Sequence, residues 1–211
     1  MIKAIIFDFN GVIINDDAIH LELFQKVLAG IGIELSDEKA QTYIADSDES
    51  VFIAELKANN MEYDVKELII CKADEYTKLI PTIKVFDGVI EFIKNTPKKL
   101  AIASGALRCE IIEILKREDI YNKFEGRIIG AEDVEQGKPN PECFLKALEL
   151  INQRGSESIE PNECMVIEDT PAGVKAAKSA DMKCLAVTNT HKKEELMLAD
   201  EVVNSITEIR R

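Results

Sequence analysis

Short apolar runs rich in β-branched residues recur along this chain, with stretches of helical periodicity between them. The runs are Ile2–Phe7, Leu100–Ala103, Arg127–Gly130, Met165–Ile167, Cys184–Val187 and Glu201–Val203. Each is shorter than the roughly 10–12 residues of a core helix and reads as a buried strand. Between most of them, Phe86–Lys94, Leu107–Lys116, Pro141–Asn152 and Pro171–Ala180 carry apolar residues three and four apart, the spacing of one helix face. Pro171 follows Thr170, a capping residue and then a ring pre-set for the first helical turn. Strands that alternate with helices join in parallel, and the crossover helices cover both faces of the sheet. The expected fold class is therefore α/β with a parallel-sheet core. In such sheets ligands bind beyond the carboxyl ends of the strands.

The segment from about Asn15 to Pro81 breaks this rhythm. It has no convincing strand. Leu21, Phe24, Val27, Leu28 and Ile31 form one apolar stripe that stops near Gly30 and Gly32. Ser36 and Ser47 look like helix caps, and Asp64 with Glu67 three residues later resembles a capping box. That last helix is expected to run to Ile80 and stop at Pro81. The expected division is a core of residues 1–14 and 82–211 and an all-helical insertion of residues 15–81, tethered at both ends beside Asp8 as either a lid or a fixed helical subdomain.

Composition narrows the partners. With 211 residues the chain can bury one substantial core and a smaller lobe. A net charge of -13 argues against nucleic acid and anionic membrane surfaces as partners. An acidic chain that binds phosphate needs a local cation, either Lys or a metal. The five cysteines form no CxxC pair, and most sit in apolar patterns, as reduced core residues of a cytoplasmic protein do. His20 and His191 are too few for a His-rich metal site. The N-terminus does not read as a signal peptide, and no run reaches membrane-spanning length. The sequence leaves monomer and dimer equally open.

The strand ends carry the chemistry. The first offers Asp8 and Asn10, the second Ser104-Gly105, the third leads to Gly137-Lys138-Pro139, and the fourth ends in Glu168-Asp169. A carboxylate can attack phosphorus and form an acyl phosphate, which divides one hard displacement into two easier ones. Anion then meets anion, so charge must be neutralised. Oxygen ligands from Asp8, Asp169 and Glu168 suit Mg²⁺. Lys138 adds a point charge, and Ser104 with the neighbouring backbone N–H groups supplies hydrogen bonds. Singly, each signal has an ordinary explanation: a helix cap for Ser104, a solvated loop for Lys138, an exposed turn for Glu168-Asp169. Their joint occurrence in this order, each at a strand end, points to phosphoryl transfer.

In these motifs the chain resembles the haloacid dehalogenase superfamily. Asp8-x-Asn10-Gly11-Val12 is similar to its first motif, Ser104 to the second, Lys138-Pro139 to the third and Glu168-Asp169 to the fourth. The Glu-Asp-Thr-Pro-Ala-Gly-Val and Gly-Lys-Pro-x-Pro runs resemble the branch that contains β-phosphoglucomutase, phosphoglycolate phosphatase and many sugar-phosphate phosphatases. The resemblance implies a Rossmann-like core with a helical cap inserted after the first strand. It implies Asp8 as nucleophile and Mg²⁺ held by Asp8, the backbone carbonyl of Asn10, and Asp169, with Glu168 bound directly or through water. It also implies Ser104, Gly105 and Lys138 around the phosphoryl group of a small phosphorylated metabolite.

Position 10 departs from the family pattern, which has an Asp there as general acid and base. Asn10 cannot exchange a proton, and losing such a group costs on the order of 10²–10⁴ in rate. Asn10 is compatible with an engineered trap, with a native enzyme that moves the proton by another route, and with a phosphate binder of slow turnover. It weakens the alternative of a hexose-phosphate mutase, which must also activate a sugar hydroxyl. The acidic stretch Ala45–Ser50 weakens it further, since such a loop repels a second phosphate, unless it is simply a helix start enriched in acids. Asn10 suits a metal-independent 2-haloacid dehalogenase, against which the adjacent acids at 168 and 169 speak. His20 is a candidate substrate contact, against a packing role, and Arg108 a weaker one.

Overall fold

The computed structural model describes residues 1–43, 47–154 and 157–209. Its main sheet has six strands: β1 (Ala4–Phe7), β4 (Lys99–Ala103), β5 (Ile128–Ile129), β6 (Cys164–Glu168), β7 (Lys183–Val187) and β8 (Glu201–Val203). Their order is β5-β4-β1-β6-β7-β8, and every pairing is parallel. The α/β expectation holds, and each apolar run of the sequence contributes one strand. The central strand β1 is buried throughout. Ala4 and Ile6 share a core with Phe144, Ala147 and Ile151 of α7 (Glu142–Gln153) and Val174 of α8 (Pro171–Ser179). On the other face, Phe7 meets Phe92 of α5 (Val89–Asn95) and Phe124 edge-on, with centroids 6.1 and 5.9 Å away. Alternation along four residues thus supplies both cores, as the two-residue period of a strand requires.

Register sets the functional edge. Phe7 pairs with Ile102 of β4 and Ile167 of β6. The Asp8 N–H continues the ladder to the Ile167 carbonyl at 2.9 Å, and Ser104 N–H reaches the Ile129 carbonyl at 3.0 Å. The residues that follow β1, β4 and β6 therefore emerge together.

A feature absent from the sequence reading is a second, two-stranded sheet. β2 (Ile14–Asn15) and β3 (Lys84–Val85) pair antiparallel. The chain divides there into two compact units, Met1–Asn15 with the chain from Lys84 onward, and Asp16–Ile83. The same ladder explains why α5 starts at Val89 rather than at Phe86: the Phe86 N–H bonds to the Ile13 carbonyl at 3.0 Å and belongs to the strand side of the turn.

The helical unit contains α1 (Asp17–Gly30), α2 (Asp37–Gln41), α3 (Asp48–Ala58) and α4 (Val65–Leu79). Leu21, Phe24, Val27 and Leu28 pack with Val51, Phe52, Leu56 and Leu68, and Ile31 lies at the edge of that cluster. Ser36 and Ser47 do cap helices, accepting from the Lys39 and Ser50 N–H groups. Asp64 caps α4 through the Lys66 N–H at 2.9 Å rather than by the expected box with Glu67. Pro81 does not end the segment sharply but sits within a 3₁₀ turn, Ile80–Thr82. Among the described residues, no helix is long and apolar enough to cross a membrane.

Of the cysteines, Cys143, Cys164 and Cys184 are buried, whereas Cys71 and Cys109 are exposed. Burial pushes the Cys143 thiol up to about 11 and those of Cys164 and Cys184 up to about 12. Thiolate is the reactive form. Iodoacetamide at pH 8 should therefore label Cys71 and Cys109 in the folded protein and all five cysteines in denaturant, as intact and peptide mass spectrometry would show.

Candidate active site

Asp8 stands at the tip of β1 with its side chain 9% exposed. Lys138 reaches it from the loop between β5 and α7. Its Nζ lies 2.6 Å from Asp8 Oδ1 and 2.6 Å from Glu168 Oε1. The loop is held by the first turn of α7: Glu142 accepts from the Glu135 and Gln136 N–H groups, and Asn140 Oδ1 accepts from the Glu142 N–H. The Lys138 ammonium also lies 5.1 Å from the centroid of the Phe144 ring, a further favourable site for a cation.

Glu168, the last residue of β6, is wholly buried. Its Oε2 accepts from the Asp169 N–H (2.8 Å), the Thr170 N–H (2.9 Å) and the Thr170 hydroxyl (3.0 Å). The carboxylate thus folds onto the start of α8, where N–H groups and the helix dipole favour negative charge. A Cβ at position 173 would lie 1.7 Å from Glu168 Oε1, so Gly173 makes this seat. Asp169, also buried, accepts a hydrogen bond at Oδ2 from the Thr190 hydroxyl, and its Oδ1 has no hydrogen-bond partner.

Carboxylate oxygens of Asp8, Glu168 and Asp169 lie within 4.8 Å of one another. Burial, reinforced by the Glu168 charge and opposed by Lys138, pushes the Asp8 carboxyl up to about 7. Burial and then the charges of Glu168 and Asp8 raise Asp169 well above the usual carboxylate range. Burial alone would lower Lys138, but Asp8 and Glu168 more than reverse this and hold it firmly charged. Three carboxylates around one ammonium are short of positive charge, and an orphaned buried Oδ1 is costly. An all-oxygen donor set with that deficit fits a hard divalent cation such as Mg²⁺. Glu168 already accepts bonds at both oxygens, so the groups best placed to hold the ion are Asp8 and Asp169.

Ser104 is buried at the end of β4, where its hydroxyl lies 3.2 Å from Asn10 Oδ1 and accepts from the Ala106 N–H at 3.1 Å. Gly105 is exposed beside it. Asp8, Asn10, Ser104, Lys138, Glu168 and Asp169 thus gather at one sheet edge. His20 belongs to the helical unit, where its Nε2 lies 3.0 Å from Asp16 and its Nδ1 2.7 Å from Lys72. Arg108 forms a surface ion pair with Asp133. Of the acidic stretch, Ala45 and Asp46 lie outside the described residues. Ser47, Asp48 and Glu49 form the start of α3, and Asp48 pairs with Lys72 at 2.7 Å.

The sequence reading missed the loop after β7. Thr190 binds Asp169, and Asn189 Nδ2 donates to the Gly11 carbonyl at 2.7 Å. The signal is present in the sequence: Cys184–Val187 reads as a strand of the same parallel sheet, so its carboxyl end opens at the same edge. Gly11 also carries more weight than its motif suggested. Its φ is +73°, and a Cβ there would lie 2.0 Å from Asp169 Oδ2.

Residues 5–187 match the family model of the haloacid dehalogenase-like hydrolases, and the chain belongs to that family. Within it the chain falls in the helical-insertion branch of the β-phosphoglucomutase, phosphoglycolate phosphatase and CbbY proteins. It is 27% identical to validoxylamine A 7'-phosphate phosphatase of Streptomyces hygroscopicus subsp. limoneus, over 100% of this chain and 97% of that protein. It is also 27% identical to the bifunctional riboflavin kinase/FMN phosphatase of Arabidopsis thaliana, over 99% of this chain but 54% of that protein, so it spans about half that relative's length. The crystal structure of β-phosphoglucomutase from Clostridium difficile is similar with a TM-score of 0.80 and 26% identity, covering 100% of this chain and 94% of that one.

Gly11→Ala should combine positive-φ strain with a clash on Asp169 and destabilise the protein by about 1–3 kcal/mol. Gly137→Ala, where a Cβ meets nothing within 4 Å, should stay within about 0.5 kcal/mol. Urea unfolding of the two variants would make the comparison.

Proposed function

We propose that the protein is a Mg²⁺-dependent phosphatase that hydrolyses a small phosphorylated metabolite, such as a sugar phosphate, through an aspartyl-phosphate at Asp8. The observation that carries this reading is the Lys138 ammonium bridging Asp8 and Glu168 beside the unpartnered Oδ1 of Asp169. Asp8 attacks phosphorus, an Oδ–P bond forms, and the ester P–O bond breaks, the leaving oxygen departing with its electron pair and taking a proton from solvent water. Water then cleaves the acyl phosphate and restores the carboxylate. Lys138 orients Asp8 and neutralises charge on the phosphoryl oxygens, to which the Ser104 hydroxyl and Gly105 N–H donate. Asp8, Asp169 and the Asn10 carbonyl would hold Mg²⁺, and Glu168 anchors Lys138 beside it. When bound, the ion would supply Lewis-acid neutralisation of the phosphoryl group. The two phosphatases above, each named for a phosphorylated metabolite, support the substrate class.

Asn10 defines the character of the reaction. Its amide can hydrogen-bond a leaving oxygen but has no proton to give it. Esters whose leaving groups are stable anions should therefore turn over far better than alkyl phosphates. Asn10→Asp should raise kcat on a sugar phosphate by about 10²–10⁴ and change p-nitrophenyl phosphate hydrolysis much less. Asp8→Asn should abolish both. No phosphate release by either this chain or its Asn10→Asp variant, across a panel of phosphate esters with Mg²⁺, would sink the reading.

The likeness to β-phosphoglucomutase favours a hexose-phosphate mutase as second reading. That reaction moves a proton at a sugar hydroxyl in each half-cycle and so depends more heavily on an acid at position 10. It would show itself as conversion of a 1-phosphate to a 6-phosphate, stimulated by a hexose bisphosphate. Assaying free phosphate and 6-phosphate in the same reaction separates the two.

A further inference from the structure

We propose that Thr190 and His191 are positioning residues for the metal: a relay running from His191 Nδ1–H through the Thr190 hydroxyl to Asp169 Oδ2 reserves Asp169 Oδ1 for Mg²⁺. The proposal rests on the reading above, in which Asp169 is a ligand.

The hydroxyl of Thr190 touches three groups: Asp169 Oδ2, the Asp169 main-chain carbonyl at 3.2 Å and His191 Nδ1 at 2.9 Å. A hydroxyl has one proton and two lone pairs. An ionised Asp169 offers only acceptors to it, at the carboxylate and at the carbonyl alike. The Thr190 proton therefore points to Asp169, and its contact with His191 uses a lone pair. The proton of that second bond must sit on Nδ1. With Asp169 ionised, as a metal ligand must be, this connectivity leaves the proton on His191 Nδ1.

Packing closes the same oxygen from another side. Oδ2 lies against Gly11, where even a methyl group would overlap it at 2.0 Å. Asn189 Nδ2 holds the Gly11 carbonyl at 2.7 Å, so the loop after β7 secures both walls around Asp169. Oδ2 is occupied and enclosed, while Oδ1 is buried and free of hydrogen bonds. Partners behind a metal ligand commonly fix its orientation in this manner. His191 is itself only partly buried and lines a cavity of about 430 Å³ with Asn189, Lys192 and Asn204, so its ring can be replaced without opening the core.

Calorimetric titration of MgCl₂ into the intact protein and its variants tests the relay. Thr190→Val, close in shape but lacking the donor, should weaken Mg²⁺ binding about 10- to 100-fold. Thr190→Ser, which restores the hydroxyl, should recover most of that loss. His191→Phe should cost about 2- to 10-fold. In the Mg²⁺-saturated protein, ¹⁵N-edited NMR of the imidazoles should show His191 protonated at Nδ1. Equal Mg²⁺ affinity in the natural chain and Thr190→Val, or an Nε2–H tautomer at His191 with Mg²⁺ bound, would overturn the relay while leaving the phosphatase reading intact. A natural chain that takes up no Mg²⁺ would refute the metal reading and the relay together. If Thr190→Val does not fold, the His191→Phe affinity and the tautomer decide the matter.

Discussion

The Nζ of Lys138 is shared between Asp8 and Glu168, and the acidic ends of β1 and β6 can coexist because of it. Burying a carboxylate without a partner is expensive, and breaking a buried pair by removing one member commonly costs several kcal/mol. Here a single ammonium serves two carboxylates, and the third, Asp169, has a hydroxyl at Oδ2 and no partner at Oδ1. The strain appears in the raised positions of Asp8 and Asp169. Such a site is short of positive charge by construction, which suits it to receive a metal ion.

Topology makes this concentration of charge possible. Asp8 and Asp169 are far apart in sequence, yet parallel pairing of β1 with β6 and the shared register at Phe7 and Ile167 deliver them to one edge. The glycines of the two motifs then complete the seat. Gly11 leaves room for Asp169, and Gly173 leaves room for Glu168. Apolar alternation in β1 fixes the strand from both faces, so Asp8 follows one of the most constrained elements of the fold.

Much of this was legible in the sequence, for identifiable reasons. Strands buried on both faces read as uninterrupted apolar runs, which is why β1, β4, β6 and β7 stood out. Four strand ends with oxygen or amine side chains then pointed to the site. What escaped notice had weak local signals. β2 and β3 are too short to show a period. Thr190 lies in a loop whose composition looks like any surface turn, and only its position after β7 gives it meaning. Cys71 belongs to an apolar stretch of α4 in which Leu68 alone is buried while Ile70 and Cys71 face outward. A helix turns consecutive residues to different faces, so an apolar run there does not imply burial.

The short ladder of β2 and β3 has a consequence for how this architecture varies. The helical unit leaves at Asn15 and returns at Lys84, and these two residues are direct partners across the ladder. To the sheet, the whole excursion is a loop whose ends are already closed. Lengthening such a loop adds little closure entropy, about 0.6 kcal/mol for each doubling. The excursion can therefore be exchanged for one of another size or sequence without disturbing the register that aligns Asp8 with Glu168. Selection can revise the sequence and size of one compact unit while the strand ends gathered in the other stay fixed.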